Sequence, residues 1–160
     1  MVEHVEEEET PKQRINRELI ELLNELRVAL PGVQVLFAFL LAIPFANGWK
    51  HTTQLQHRVL FAALLSAMLA TVLLMAPSSY HRLLFRHHDK DRLVRHANRL
   101  AIMGLVCLGA ALALSLFLVS DYIFGSVVAG LAAGGVAVLI AVLWFGMPLW
   151  IRLRDPETDP

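Results

Sequence analysis

The chain has 160 residues, 56% of them hydrophobic, with a mean hydropathy of +0.55, which is too apolar for an ordinary soluble domain. Its 14 Lys and Arg balance 14 Asp and Glu, so overall charge offers nothing to a nucleic acid and none is expected as a partner. The single cysteine, Cys107, excludes an intrachain disulfide and a cysteine-based zinc cluster, and its apolar surroundings make it a small packing residue.

Residues 1–10, MVEHVEEEET, read as an acidic disordered leader; a signal peptide would need a basic start followed by an apolar core. A helix follows. Thr10 and Gln13 have capping-box spacing, and Pro11 falls at the first helical position, where a missing N–H costs nothing. Ile15, Leu19, Leu22, Leu23, Leu26 and Leu30 recur at helical spacing. Glu18, Glu21 and Glu25 mark another face, and Arg14 with Glu18 and Arg17 with Glu21 form i,i+4 pairs worth a few tenths of a kcal/mol each. This amphipathic helix runs directly into an apolar segment, and its glutamates favour contact with protein over anionic lipid.

Four segments are long and apolar enough to cross a bilayer, which takes roughly 20 residues. They are expected at about 28–46, 59–77, 100–120 and 122–151, within a single membrane domain of 11–154 that ends in a disordered tail, 155–160. All should be helices, because backbone polar groups in lipid must be satisfied within the segment. The fold class is therefore all-α: a four-helix transmembrane bundle with an N-terminal amphipathic helix continuous with the first span.

In the first span Pro31-Gly32 predicts a kink. Gln34, about one turn inside the interface, needs a hydrogen-bond partner or a water-filled cavity. The second and third spans carry small residues at four-residue spacing, Ala62, Ser66 and Ala70, then Cys107, Ala111 and Ser115. The fourth carries Gly130 and Gly134 in GLAAG. Small residues let helices approach closely in lipid, so Gly130 and Gly134 are expected to pack helices within the chain, with a subunit interface as the competing use. Trp49, Tyr80, Tyr122, Trp144 and Trp150 fall near span ends, as an aromatic belt does.

The loop between spans 2 and 3 holds His81, His87, His88 and His96 beside Asp89 and Asp91. Their spacing matches no zinc site, and solvated loop histidines are expected, with Asp89 as the N-cap of the next helix. Arg82, Arg86, Lys90, Arg92, Arg95 and Arg99 suit anionic headgroups. Asp121, the sole formal charge between Leu100 and Ile151, is expected in a surface ion pair near Lys50, His57 and Arg58. No phosphate loop, nucleophile elbow or metalloprotease helix occurs. No catalytic residue, metal or cofactor is expected, and Ser78-Ser79 with His81 is ordinary proximity, so an enzyme is not expected.

All Lys and Arg except Lys50 and Arg58 fall before span 1, between spans 2 and 3, or after span 4. The positive-inside rule therefore places both termini and the central loop in the cytoplasm, in a multi-pass protein of the cell inner (plasma) membrane.

The stretch ELLNELRVALPGVQVLFAFLLAIPF, then APSSYHRLLFR and the NR of HANRLA resembles an uncharacterised bacterial, mostly actinobacterial, family of short four-span membrane proteins. That family is a domain of unknown function, some members of which carry the label sodium/proton antiporter. The resemblance spans roughly residues 17–125 and implies the same four-span fold, without assigning functional residues. No span here has a central Asp or Glu, and nothing suggests the inverted repeat that antiporters use. Two functions then compete. One is a homo-oligomeric cation-conducting channel or transporter whose first helix lines the conduit with Glu18, Glu21, Glu25 and Gln34. The other is a non-conducting accessory or scaffold protein in the lipid bilayer that docks a partner through its amphipathic helix.

Overall fold

A computed structural model of the protein describes residues 11–84 and 90–154. Helix α1 covers Pro11–Ala42, α2 Gln54–Leu84, α3 Lys90–Phe124 and α4 Ser126–Ile140. A π-helical segment, Ala141–Gly146, joins α4 to α5, Met147–Arg154. No strand occurs among the described residues. The leader, the tail and residues 85–89, which include His87, His88 and the expected cap Asp89, lie outside them.

Four stretches have the length and composition of membrane spans: Asn24–Phe45, Gln54–Ser79, His96–Phe124 and Ser126–Ile151. The protein is thus a multi-pass α-helical membrane protein. The amphipathic helix and the first span form one helix, as the continuous apolar stripe requires, and that helix passes through Pro31 without a break. A proline inside a span is tolerated where neighbouring groups and small adjustments re-satisfy the freed carbonyl. Pro77 is likewise inside α2 and fully buried.

Helix α1 ends where Pro44 approaches, because Pro44 has no N–H to continue the ladder and its ring crowds the turn before it. The chain then makes two short 3-10 turns, Ile43–Phe45 and Trp49–His51, separated by Gly48 at φ 105°. Between α3 and α4 there is a single-residue break at Gly125, with φ 89°. The fourth span therefore starts at Ser126, and Tyr122, expected to open it, belongs to the last turn of α3.

α2 and α3 form the centre of an open bundle. Among the described residues, the buried apolar side chains of α2 are Leu60, Ala63, Ala67, Ala70, Leu74 and Pro77. They alternate three and four apart, the spacing of left-handed knobs-into-holes packing. Opposite them α3 buries Ala97, Ala101, Gly104, Ala111 and Leu118. At Gly104 the approach is closest: an added Cβ would lie 2.7 Å from Leu74 Cδ2. α1 contributes Leu26, Val33 and Leu40, one residue every seven. Leu40 joins the cluster around Ala63, Ala67 and Ala111, and Leu26 and Val33 join the one around Ala70, Leu74 and Ala101.

α4 rests on α3 through buried Ala129 and Ala133. Gly109 of α3 admits Ile140, which a Cβ there would meet at 3.1 Å. The π segment follows directly. Pro148 has no N–H and its ring would strike the carbonyl four residues back in a regular α-helix, so the widened turn before it has a steric cause. Met147 N–H accordingly donates to the Val142 carbonyl, five residues back.

Candidate functional site

The residues singled out in α1 do not share a face. Glu18 and Glu25 are seven residues apart, about two turns, and Glu21 lies between them on the same side. Gln34 is nine residues from Glu25, which is two and a half turns of a continuous helix and so the opposite side. One α1 helix therefore cannot turn all four toward a common axis. Glu21 and Glu25 are exposed; the side chain of Glu18 lies outside the described set. Arg17 Nε sits 3.9 Å from Glu21 Oε1, both well exposed, a pair of little energetic weight.

Gln34 also lies deeper than one turn. It is seven residues past Arg27, the last charge before the apolar run, about 10 Å along the helix. Its side chain is exposed and forms no hydrogen bond within the chain. The interhelical bond that its burial in lipid calls for is therefore absent from a single copy.

The glycines of GLAAG also face outward. Gly130 and Gly134 are exposed, and a Cβ on either would meet nothing within 4 Å. The α4 contact with α3 runs instead through Ala129 and Ala133, one residue earlier. The expected packing role of Gly130 and Gly134 within the chain is thus taken by Gly104 and Gly109. Gly104 has leucines four residues to either side, and Gly109 has only Ala113 at that spacing, so neither carries a glycine pair.

Among the described residues the most connected polar site is at the Asp121 end of the bundle, where the 3-10 turns meet α2, α3 and α4. Thr53 and Gln56 close a reciprocal capping box on α2: Thr53 N–H donates to Gln56 Oε1 at 2.9 Å, and Gln56 N–H to Thr53 Oγ1 at 3.2 Å. The buried Gln56 then donates through Nε2 to Asp121 Oδ2 at 2.9 Å. Ser126 Oγ donates to Asp121 Oδ1 at 2.6 Å across the Gly125 break. Asp121 is thus held by two neutral donors, from α2 and α4; among the described side chains it makes no ion pair with His57 or Arg58, and that of Lys50, the other expected partner, lies outside them. It ties three helices together.

Beside this cluster Thr52 Oγ1 donates to the Trp49 carbonyl at 2.6 Å. With that proton engaged, His57 Nε2, 3.1 Å away, must be the donor to Thr52. The His57 and Trp49 rings meet edge to face, 4.8 Å between centroids. Gly48 supplies the left-handed turn and lets the Tyr122 hydroxyl approach, 3.3 Å from where a Cβ would stand. A cavity of about 220 Å³ opens here, walled by Ile43, Ala46, Trp49, Leu118, Val119 and Tyr122, with Thr52 and Gln56 on its polar edge. Sequence reasoning passed over Gln56, Thr53 and Ser126, although T-x-x-Q at 53–56 is a readable capping signal.

At the other end Arg154 stacks on Trp150, 3.9 Å from the ring centroid. His96 is exposed. No cluster of three metal-ligating side chains occurs among the described residues. Ser79 Oγ turns back to the Met75 carbonyl at 3.4 Å.

These features define a small integral membrane protein of four spans, with its polar contacts gathered at the Asp121 end of the bundle. Residues 8–148 match a family described as "Family of unknown function (DUF6328)". The match covers most of the chain, and the chain belongs to this family. No curated protein and no solved structure matches it.

Proposed function

We propose that the protein is a non-enzymatic, non-conducting membrane scaffold, oriented with both termini in the cytoplasm of a bacterial plasma membrane. Its α1 extension presents Glu21 and Glu25 to a basic partner. The observation that carries this reading is the half-turn separation of Glu25 from Gln34. Continuing the acidic face into the membrane leads to Val28, Val35 and Phe39, all exposed and apolar, which is a poor lining for a cation path. The interior offers no alternative, since the α2–α3 seam is closed by alanines and leucines.

A second reading, a homo-oligomeric cation conduit, draws on one observation: the unpartnered amide of Gln34 deep in span 1. Flux through purified protein in liposomes decides between them. The scaffold predicts no sodium, potassium or proton flux above protein-free vesicles at any voltage. A selective flux that falls with Gln34→Leu overturns it in favour of the conduit. A photo-crosslinker at position 25 should trap a discrete heteromeric species in native membranes, lost when Glu21 and Glu25 are both changed to Lys. Sidedness is tested by an impermeant thiol reagent in intact cells, which should label a cysteine at position 51 and spare one at position 157.

A further inference from the structure

Gln34 makes a demand that the chain itself does not meet. An amide in the hydrocarbon core needs a hydrogen-bond partner, since neither water nor a lipid ester reaches that depth. Counted from Arg27, the last charge before the apolar run, Gln34 is seven residues in, about 10 Å along the helix, and counted from Phe45 it is eleven, further than its short stem can carry the amide to either headgroup layer. The side of α1 that faces the bundle is already filled by Leu26, Val33 and Leu40. Gln34 stands about a quarter turn off that seam, exposed and unpaired.

We propose that a second copy of this chain supplies the partner: two α1 helices pair in parallel about a two-fold axis along the membrane normal, with the two Gln34 amides hydrogen-bonded to each other. Three features support a copy over an unrelated protein. A copy inserted with the same orientation necessarily places its own Gln34 at the same depth. The carboxamide is both donor and acceptor, so it is self-complementary, as a two-fold interface requires. The residues on either side along this line, Pro31 one turn before and Ala38 one turn after, are short and exposed, which permits the close backbone approach that helix pairing in lipid depends on. Arg27 and Leu41, seven residues either way, continue the line, so the spacing alternates three and four as in a left-handed helix pair. Arg27 lies at the headgroup end, where its long side chain can splay into water.

The pairing is independent of any docking at Glu21 and Glu25, which occupy the other side of α1, so either can fail without the other. The test is disulfide cross-linking in native membrane vesicles, in a Cys107→Ser background. Ala38→Cys should give a covalent dimer several-fold more readily than Phe39→Cys, the next residue, which is 71% exposed but about 100° around the helix. Adding Gln34→Leu should weaken self-association, read from the Ala38→Cys dimer yield at graded dilution in lipid, by about fivefold. Gln34→Asn, which keeps the amide, should retain more than Gln34→Leu. The leucine variant removes no hydrogen bond within the chain and sits at an exposed position, so loss of folding does not mimic the result. Equal cross-linking at positions 38 and 39, or a dimer yield unchanged by Gln34→Leu, would overturn the proposal.

Discussion

The two inner helices and the two outer ones are built from similar residues and do different work. In α2 and α3, 28% and 22% of the apolar core stretch is buried; in the first and fourth spans the share is 11% each. Lipid tails are as apolar as leucine, so burial of apolar surface does not drive helices together here; fit does. The inner pair has fit: alanines at heptad spacing on α2 meet Ala101, Gly104 and Ala111 on α3. The outer helices touch the centre along one narrow line each and leave the rest to lipid or to other molecules. Fold specificity is thus concentrated in one seam, and α1 and α4 are where association with other chains costs the fold least.

The largest break should come at Gly104. Gly104→Leu forces a side chain into a place where even a Cβ lies 2.7 Å from Leu74. We expect a loss of about 4 kcal/mol, or failure to recover folded protein, as severe overpacking does. Leu74→Ala, at a fully buried position, should cost about 3 kcal/mol through the cavity it leaves. The two sites are in contact, so they should not be additive. Gly104→Ala combined with Leu74→Ala should cost clearly less than Gly104→Ala alone plus Leu74→Ala alone, because the new methyl enters the vacated space. Equilibrium unfolding in mixed detergent measures all four variants; strict additivity in this cycle would separate the two residues and refute the close approach.

A smaller effect is expected where the inner pair is tied to α4. Asp121→Leu leaves the buried Gln56 amide without its acceptor and frees Ser126, for about 1–2 kcal/mol. Asp121→Asn, which keeps an acceptor oxygen, should cost less than half as much. Equal losses for both would mean that the carboxylate charge, and not the hydrogen bonds, is what matters.

The smallest effect sharpens the contrast. Gly134→Leu lies on the open face of α4, where nothing stands within 4 Å. Its effect on unfolding of the isolated chain should stay within about 0.5 kcal/mol, as for other surface changes, with any helix-propensity gain working in its favour. A melting temperature lowered by several degrees, or a changed stoichiometry, would show that the outer face of α4 is in contact after all.

The helical class and the four spans were legible because hydropathy over some twenty residues is a long-range average that single residues barely disturb. The union of the amphipathic helix with span 1 was legible too, since one apolar stripe crosses both. Facing was harder. In lipid, small residues mark both contacts and ordinary exposed surface, so the four-residue triplet Ala62, Ser66 and Ala70 looked as good as the true seven-residue pattern of Leu60, Ala63, Ala67, Ala70 and Leu74. GLAAG fits a known contact motif and faces out, while Gly104 fits none and sits at the tightest contact. Asp121 shows another limit. It stood out as the only charge in its region, but its acceptor role toward Gln56 joins residues 65 apart, which no local pattern encodes.

The π segment at Ala141–Gly146 has a consequence for how the C-terminal end is phased. A wider turn spends an extra residue, so everything beyond Gly146 is rotated by about 100° from the continuation of a regular helix. A wheel projected from Ala129 and Ala133 therefore assigns Met147–Arg154 to the wrong faces, and Trp150 with Arg154 above it points where an unbroken helix would not send it. Removing one residue between 141 and 146 would keep both ends on their present sides but would set the ring of Pro148 against the carbonyl four residues before it. A single-residue deletion, normally ruinous inside a span, therefore becomes a mild change at this one place only when Pro148 is also replaced by alanine.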